Sequence, residues 1–95
     1  MPLSQLENEL RLLARSHIQD GTLPDVLPSR TWGGNGNGDP CAVCGKFIPD
    51  TEMEYEIEGG QDGNRRTYHL HFLCHAGWQL ECARAQRLKQ TSQES

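Results

Sequence analysis

The sequence predicts a small α+β fold in which a β-hairpin lies between an N-terminal and a C-terminal helix. Three observations lead to this prediction. Leucines recur at helical spacing near the N-terminus, apolar and acidic residues alternate between positions 52 and 58, and a second apolar helical stripe begins near position 73. Pairs of cysteine and histidine residues flank the alternating segment, so we expect the chemistry of the protein to lie around the hairpin.

The chain is short for a domain held together by apolar packing alone. It has 95 residues, of which 35% are hydrophobic, and it contains two Trp, two Tyr and two Phe. A domain of this size buries a small core. Small domains of this kind usually depend on a metal ion or on disulfides. We therefore expect one domain with an additional cross-link.

Four residues of the types that bind metals occur as two pairs with the same spacing. Cys41 and Cys44 form a CxxC pair, and His71 and Cys74 form an HxxC pair. Gly45 follows the first pair and allows the backbone to turn beneath an ion. Three thiolates and one imidazole fill a tetrahedral zinc sphere, as in structural sites, whereas catalytic sites keep one position for water. The sequence therefore predicts one structural Zn²⁺ per chain, no catalytic residues and no enzyme activity.

Two other histidines compete with His71 for the fourth ligand position. His75 is adjacent to Cys74 and would point about 100° away around a helix. His69 lies one strand repeat earlier, roughly 6.6 Å away. We favour His71, followed by His75 and then His69. Cys82 lies eight residues after Cys74, about 12 Å along a helix, so we expect it to be a buried apolar residue.

Other uses of the cysteines are disfavoured. A CxxC redox pair opens a helix after a strand, whereas this pair follows a glycine-rich segment. A disulfide framework belongs to exported proteins, and the N-terminus lacks the basic start and apolar core of a signal peptide. No apolar run approaches the roughly 20 residues of a membrane span. We therefore expect a cytoplasmic protein.

The ligand spacing resembles that of treble-clef zinc fingers. In that fold a CxxC knuckle is followed by a β-hairpin and then by a helix whose first turn supplies two further ligands. The HxxC pair is similar to that of LIM-type fingers, although this chain has a single finger and a longer spacer. The segments GTLP, GGNGNG, CxxCGK, EYE and HxxCxxxW, over about residues 21–81, resemble a group of short proteobacterial zinc-binding proteins. The resemblance implies a bacterial protein with a zinc site and implies no activity.

Residues 3–19 are predicted to form an amphipathic helix with a leucine stripe on one face. An SxxE capping box at Ser4 begins the helix, and Gly21 ends it. Because a lone helix of this length is marginal in water, the stripe must be covered. We expect it to pack on its own domain or, with a slight preference, on a protein partner or a second copy. The stripe consists of Leu6, Leu10 and Leu13.

The segment between this helix and the cysteines is predicted to be an extended connector. Two prolines and four glycines oppose regular structure there. Its GGNGNG run lacks the preceding strand and the following helix of a phosphate-binding loop, so we expect a hinge. The predicted divisions are the helix at 1–21, the connector at 22–39, the zinc-binding domain at 40–89 and a disordered tail at 90–95.

A half-buried strand is predicted by the alternation of Met53, Tyr55 and Ile57 with glutamates. Residues 59–64 are the predicted turn, and the return strand ends near Leu70. We expect the glutamates to form a solvated outer face, and we disfavour a catalytic carboxylate pair. The last helix is predicted over residues 73–89.

These features predict a zinc-binding module that mediates protein–protein interaction or regulation. The alternative is a nucleic-acid-binding regulator, whose phosphate contacts would come from the hairpin and the end of the last helix. The net charge of −4 disfavours that alternative because it provides no overall attraction for a polyanion. The basic residues concerned are Lys46, Arg65, Arg66, Arg84, Arg87 and Lys89.

Overall fold

The computed structural model describes residues 5–28, 30–59 and 66–94 and confirms the predicted α+β fold. The elements in chain order are α1 (Gln5–Asp20), β1 (Thr31–Asn35), β2 (Met53–Gly59), β3 (Arg66–His71) and α2 (Phe72–Glu94). The three strands form one antiparallel sheet in the order β1-β2-β3. Because α2 begins directly after β3, the HxxC pair lies at the junction between strand and helix.

Strands β2 and β3 form the predicted hairpin. Tyr55 is paired with Leu70, and Ile57 with Tyr68. Ile57 and Leu70 are fully buried, and the ring of Tyr55 stacks on His75 of α2 at a centroid distance of 4.4 Å. This face of the hairpin therefore packs on α2. The predicted turn after Gly59, together with Arg65, lies outside the described residues.

Strand β1 is the main difference from the sequence prediction, which assigned a connector and a hinge to this segment. Trp32 pairs with Glu56, and Gly34 pairs with Glu54. The glycines disfavour a strand locally, but β2 provides a partner for the backbone, and tertiary context outweighs local propensity in sheets. The first half of the glycine-rich segment therefore belongs to an edge strand of the sheet.

Helix α1 ends at the predicted glycine and packs on α2. Gly21 has a φ of 85°, and the amide of Thr22 donates a 3.0 Å hydrogen bond to the carbonyl of His17, as in a Schellman motif. Leu10 and Ala14 are buried in the hydrophobic core. The capping box predicted at Ser4 lies outside the described residues.

The packing of α1 on α2 buries one leucine of the predicted stripe and leaves the other two exposed. Leu10 is only 9% exposed, whereas Leu6 and Leu13 are 54% and 43% exposed. The helix thus docks on its own domain through the middle of the stripe. An intermolecular role remains a proposal for the exposed leucines only.

The first part of the predicted connector is fixed to α2. Leu23 is buried. The indole Nε1 of Trp78 donates a 2.9 Å hydrogen bond to the carbonyl of Pro24, and Nε2 of Gln86 donates one of the same length to the carbonyl of Asp25. These contacts hold the segment that follows α1 against the C-terminal helix.

Helix α2 continues to Glu94, whereas the sequence predicted an end near residue 89 and a disordered tail at 90–95. No proline or glycine follows Gly77, so the sequence contains no strong helix terminator in this region. No helix within the described ranges is sufficiently long and apolar to span a membrane.

Candidate metal centre

The turn that carries Cys41 and Cys44 is held by its own backbone. The amide of Cys41 donates a 2.8 Å hydrogen bond to the carbonyl of Lys46, and the amide of Gly45 donates one of 2.9 Å to the carbonyl of Cys41. Gly45 has a φ of 79°, in the left-handed region that glycine favours. The Val43 amide points at the sulfur of Cys41 at 3.4 Å. Backbone hydrogen bonds and the left-handed Gly45 therefore define the shape of this knuckle.

Two further contacts attach the knuckle to the rest of the fold. The amide of Ala42 donates a 2.8 Å hydrogen bond to the carbonyl of His69 in β3. Nε2 of His17 in α1 lies 3.1 Å from the carbonyl oxygen of Val43, and since a carbonyl only accepts, Nε2 carries the proton. His17 is thus a helix-end side chain that supports the knuckle, and it lies outside the metal cluster.

The second ligand pair meets the first at the junction of β3 and α2. Nδ1 of His71 lies 3.4 Å from Sγ of Cys44 and 3.9 Å from Sγ of Cys74. In a tetrahedron with Zn–S bonds of about 2.3 Å and a Zn–N bond of about 2.0 Å, sulfur and nitrogen are roughly 3.5 Å apart. The ligand atoms of all four predicted residues lie within 4.8 Å of one another. Cys41, Cys44, His71 and Cys74 therefore form one cluster that can hold a metal ion.

The competing residues lie elsewhere. His75 packs in the core against Tyr55, and His69 faces carboxylates on the sheet. Cys82 is buried, and its sulfur lies 3.7 Å from the carbonyl oxygen of Pro24. The cluster thus contains His71 in preference to the other two histidines and leaves Cys82 out.

The three thiols lie close together, and their pKa values therefore differ from one another. The Cys74 thiol donates a hydrogen bond to Cys41, which lowers the pKa of Cys41 to about 4. The same hydrogen bond, together with burial, raises the pKa of Cys74, and burial raises the pKa of Cys44. A divalent cation would offset the repulsion between neighbouring thiolates and favour deprotonation of all three.

A carboxylate supports the far side of the His71 ring. Oε2 of Glu52 lies 3.5 Å from Nε2 of His71, while Nδ1 faces the sulfurs. Metal-binding histidines commonly donate their second ring N–H to a carboxylate, which fixes the tautomer and the orientation of the ring. The sequence prediction missed Glu52. The signal was the hairpin register, since Glu54 pairs with His71 and Glu52 lies two residues before Glu54.

The outer face of the hairpin differs from its prediction as a solvated surface. Glu54 is only 6% exposed, although Glu56 is half-buried and Glu58 is exposed. The segment that leads into the knuckle covers this end of the sheet, because Asp39 approaches His69 there. The alternation of apolar and acidic residues in the sequence does not show that this segment covers the sheet.

An apolar groove of about 350 Å³ borders the metal cluster. Cys44 and Cys74 contribute to its lining, so the groove and the cluster share a wall. Leu6, Met53 and Phe72 are each half exposed or more in it. Its apolar lining consists of Leu6, Leu10, Met53, Phe72 and Leu73.

Comparison of the chain with protein-family models, with curated proteins and with solved structures finds no match. The resemblance to treble-clef zinc fingers therefore stays a prediction from the motifs. The metal centre is defined by its own geometry, in which the ligand atoms of three cysteines and one histidine lie within 4.8 Å of one another.

Proposed function

We propose that the protein is a small module folded around a structural zinc ion, and that it acts by binding another protein. The observation that carries the zinc assignment is the convergence of Cys41, Cys44, His71 and Cys74 within 4.8 Å. Thiolates and imidazole in a tetrahedral set favour Zn²⁺. Because four protein ligands leave no position for water or substrate, the ion stabilises the fold and performs no catalysis.

The ion would cross-link the CxxC knuckle to the junction between β3 and α2. The CxxC knuckle, the end of β3 and the first turn of α2 each contribute ligands. Zinc binding in comparable peptides is worth about 10–16 kcal/mol, which is similar to the whole stability of a typical domain, about 5–15 kcal/mol. The order of knuckle, hairpin and helix also supports the proposed relation to treble-clef fingers.

The apolar groove beside the cluster supports the protein-binding role. Half-exposed Leu6, Met53 and Phe72 form a contiguous apolar surface, and surfaces of this kind often mark interaction sites. Lys46 and Glu52 lie at the groove and supply the polar rim that protein interfaces usually have. Since the metal ligands form one wall, zinc would order the surface that the partner contacts.

The nucleic-acid alternative has less support. Arg11 and Arg15 bind the buried carboxylate of Glu81, and Lys89 pairs with Asp25 at the end of α2. These pairs reduce the basic charge at both helices, in a chain with a net charge of −4. We therefore propose a protein partner.

A matched pair of substitutions on α1 tests this function. Leu6 and Leu12 are 54% and 57% exposed, but only Leu6 lines the groove. Zinc-loaded wild type and Leu12→Glu should recover the same partner from a native lysate, whereas Leu6→Glu should lose it. Recovery that is equal for all three proteins, or a partner lost only with Leu12→Glu, would refute the proposed surface. Sedimentation equilibrium of the same proteins shows whether the partner is a second copy.

A further inference from the structure

A second group of metal-ligand side chains lies on the sheet, two residues before His71. Nδ1 of His69 faces three carboxylates: it lies 3.3 Å from Oε2 of Glu54, 3.6 Å from Oε1 of Glu56 and 3.7 Å from Oδ2 of Asp39. The ligand atoms of Asp39, Glu54 and His69 all lie within 4.8 Å of one another. The group is separate from the cysteine cluster.

Two buried atoms of this group have no hydrogen-bond partner among the residues that the structure describes. Glu54 is only 6% exposed, and within the described ranges neither its Oε1 atom nor Nδ1 of His69 makes a hydrogen bond. Within the described residues, no lysine or arginine forms an ion pair with Asp39, Glu54 or Glu56. A buried carboxylate without a partner is costly. One ring nitrogen carries at most one proton, so it can serve only one of the three carboxylates.

The distances from His69 to the carboxylates fit a metal ion placed between the side chains. With bonds of about 2.0–2.2 Å to nitrogen and oxygen, neighbouring ligand atoms lie roughly 3.0–3.6 Å apart in octahedral or tetrahedral sites. The three contacts of His69, at 3.3, 3.6 and 3.7 Å, require only a small contraction to reach these values. A cation here would bind Nδ1 of His69 and offset the charge of the buried Glu54 carboxylate.

Backbone hydrogen bonds or strand pairing hold each of these side chains in place. The Gly38 amide donates a 2.8 Å hydrogen bond to the carbonyl of Ile48, and the Ile48 amide donates one of 2.9 Å to the carbonyl of Asp39. Glu56 is the direct cross-strand partner of His69, and Glu54 lies on the same face of β2. The group is therefore preorganised, as a binding site requires.

We propose that Asp39, Glu54 and His69 bind a second divalent transition-metal ion, with water in the remaining positions. A set of one imidazole and several carboxylates suits Mn²⁺, Fe²⁺ or Zn²⁺ and disfavours the soft Cu⁺. Because Asp39 is half exposed, the ion can reach the site from solvent beside this residue. The ligands of this site are shared neither with the cysteine cluster nor with the apolar groove.

Manganese titration of the zinc-loaded protein tests this site, because Mn²⁺ has little affinity for the thiolates of the first site. Electron paramagnetic resonance measures the concentration of free hexaaqua Mn²⁺, and subtracting it from the total gives the bound Mn²⁺. We expect one Mn²⁺ bound per wild-type chain and an affinity at least about tenfold lower in Glu54→Gln and His69→Gln. Glu58→Gln, an exposed position on the same strand, should bind as the wild type does.

Retention of one zinc per chain shows that each variant is folded. If a variant does not fold, Asp39→Asn is used in its place, because Asp39 is half exposed and its substitution disturbs the core least. Equilibrium dialysis with Zn²⁺ provides a second probe of the same site. The site is refuted when neither Mn²⁺ nor a second Zn²⁺ binds at up to about 1 mM, an upper limit in the range of weak divalent sites. It is equally refuted when Asp39, Glu54 and His69 variants bind the ion as tightly as the wild type.

Discussion

Nε of Arg15 donates a 2.7 Å hydrogen bond to Oε1 of Glu81 across the interface between α1 and α2. Arg11 donates one of 2.8 Å to the other carboxylate oxygen. Glu81 is 2% exposed, so its buried charge depends on these two half-buried guanidinium groups. The N-terminal helix is therefore fixed by an ion-pair network as well as by the burial of Leu10.

Glu81→Gln should lower the free energy of unfolding by about 2–3 kcal/mol, because it removes a buried charge partner from two arginines that can partly turn to water. Urea unfolding of the zinc-saturated protein measures the change. Glu58→Gln, at an exposed position, should stay within about 0.5 kcal/mol of the wild type. An equal loss of unfolding free energy in Glu81→Gln and Glu58→Gln would show that the ion-pair network makes no specific contribution to stability.

The contribution of Glu81 should depend on pH. Burial raises the pKa of Glu81, but hydrogen bonds from Arg15 and Arg11 outweigh it and hold the pKa below the ordinary value of 4.5. A lowered pKa stabilises the fold above the unfolded-state value, and the stabilisation is lost as the pH falls through the folded-state pKa.

The difference in unfolding free energy between wild type and Glu81→Gln should therefore be constant from about pH 7 to 5 and shrink below about pH 4.5. Acid also releases zinc, but that effect is common to both proteins and cancels in the difference. A difference that grows toward acid would contradict the assigned ion pairs.

Leu10→Glu should destabilise the monomer by about 2–5 kcal/mol, because Leu10 is 9% exposed between the helices and the change buries a charge. Leu12→Glu is the control, since Leu12 is 57% exposed. Thermal midpoints of the zinc-loaded proteins measure the effect. An unchanged midpoint for Leu10→Glu would mean that α1 does not dock on its own domain.

Cys82→Ala should retain one zinc per chain and cost about 1 kcal/mol, since it removes one buried sulfur. Burial, followed by the charges of Asp25 and Glu81, raises the pKa of Cys82 to about 12. The folded protein at pH 8 should therefore resist alkylation of this thiol by iodoacetamide, because the thiolate is the reactive form. Loss of zinc in Cys82→Ala, or rapid alkylation of Cys82, would contradict its place in the core.

The sequence predicted the features that depend on local spacing. Cys41 and Cys44 lie on a turn that Gly45 completes, and both features are visible within six letters. The alternation around Tyr55 predicted the hairpin because a strand repeats every two residues. The register of that hairpin then places His71 beside the knuckle.

The features that the sequence did not predict depend on distant parts of the chain. Gly33 and Gly34 join a strand only because β2 pairs with them, and no local pattern indicates this. Glu54 is buried because the segment around Asp39 lies over the sheet, so its alternation with apolar residues wrongly suggested exposure. Tertiary contact decides both cases.

X-ray absorption at the zinc edge, on protein loaded with one Zn²⁺ per chain, tests the Cys3His assignment most directly. The predicted spectrum contains three sulfurs at about 2.3 Å and one nitrogen at about 2.0 Å. Cys82→Ala should leave that spectrum unchanged, and Cys41→Ser should lose a sulfur or the ion itself. A shell of four sulfurs, a shell of oxygen and nitrogen alone, or a protein that binds no zinc would contradict the assignment.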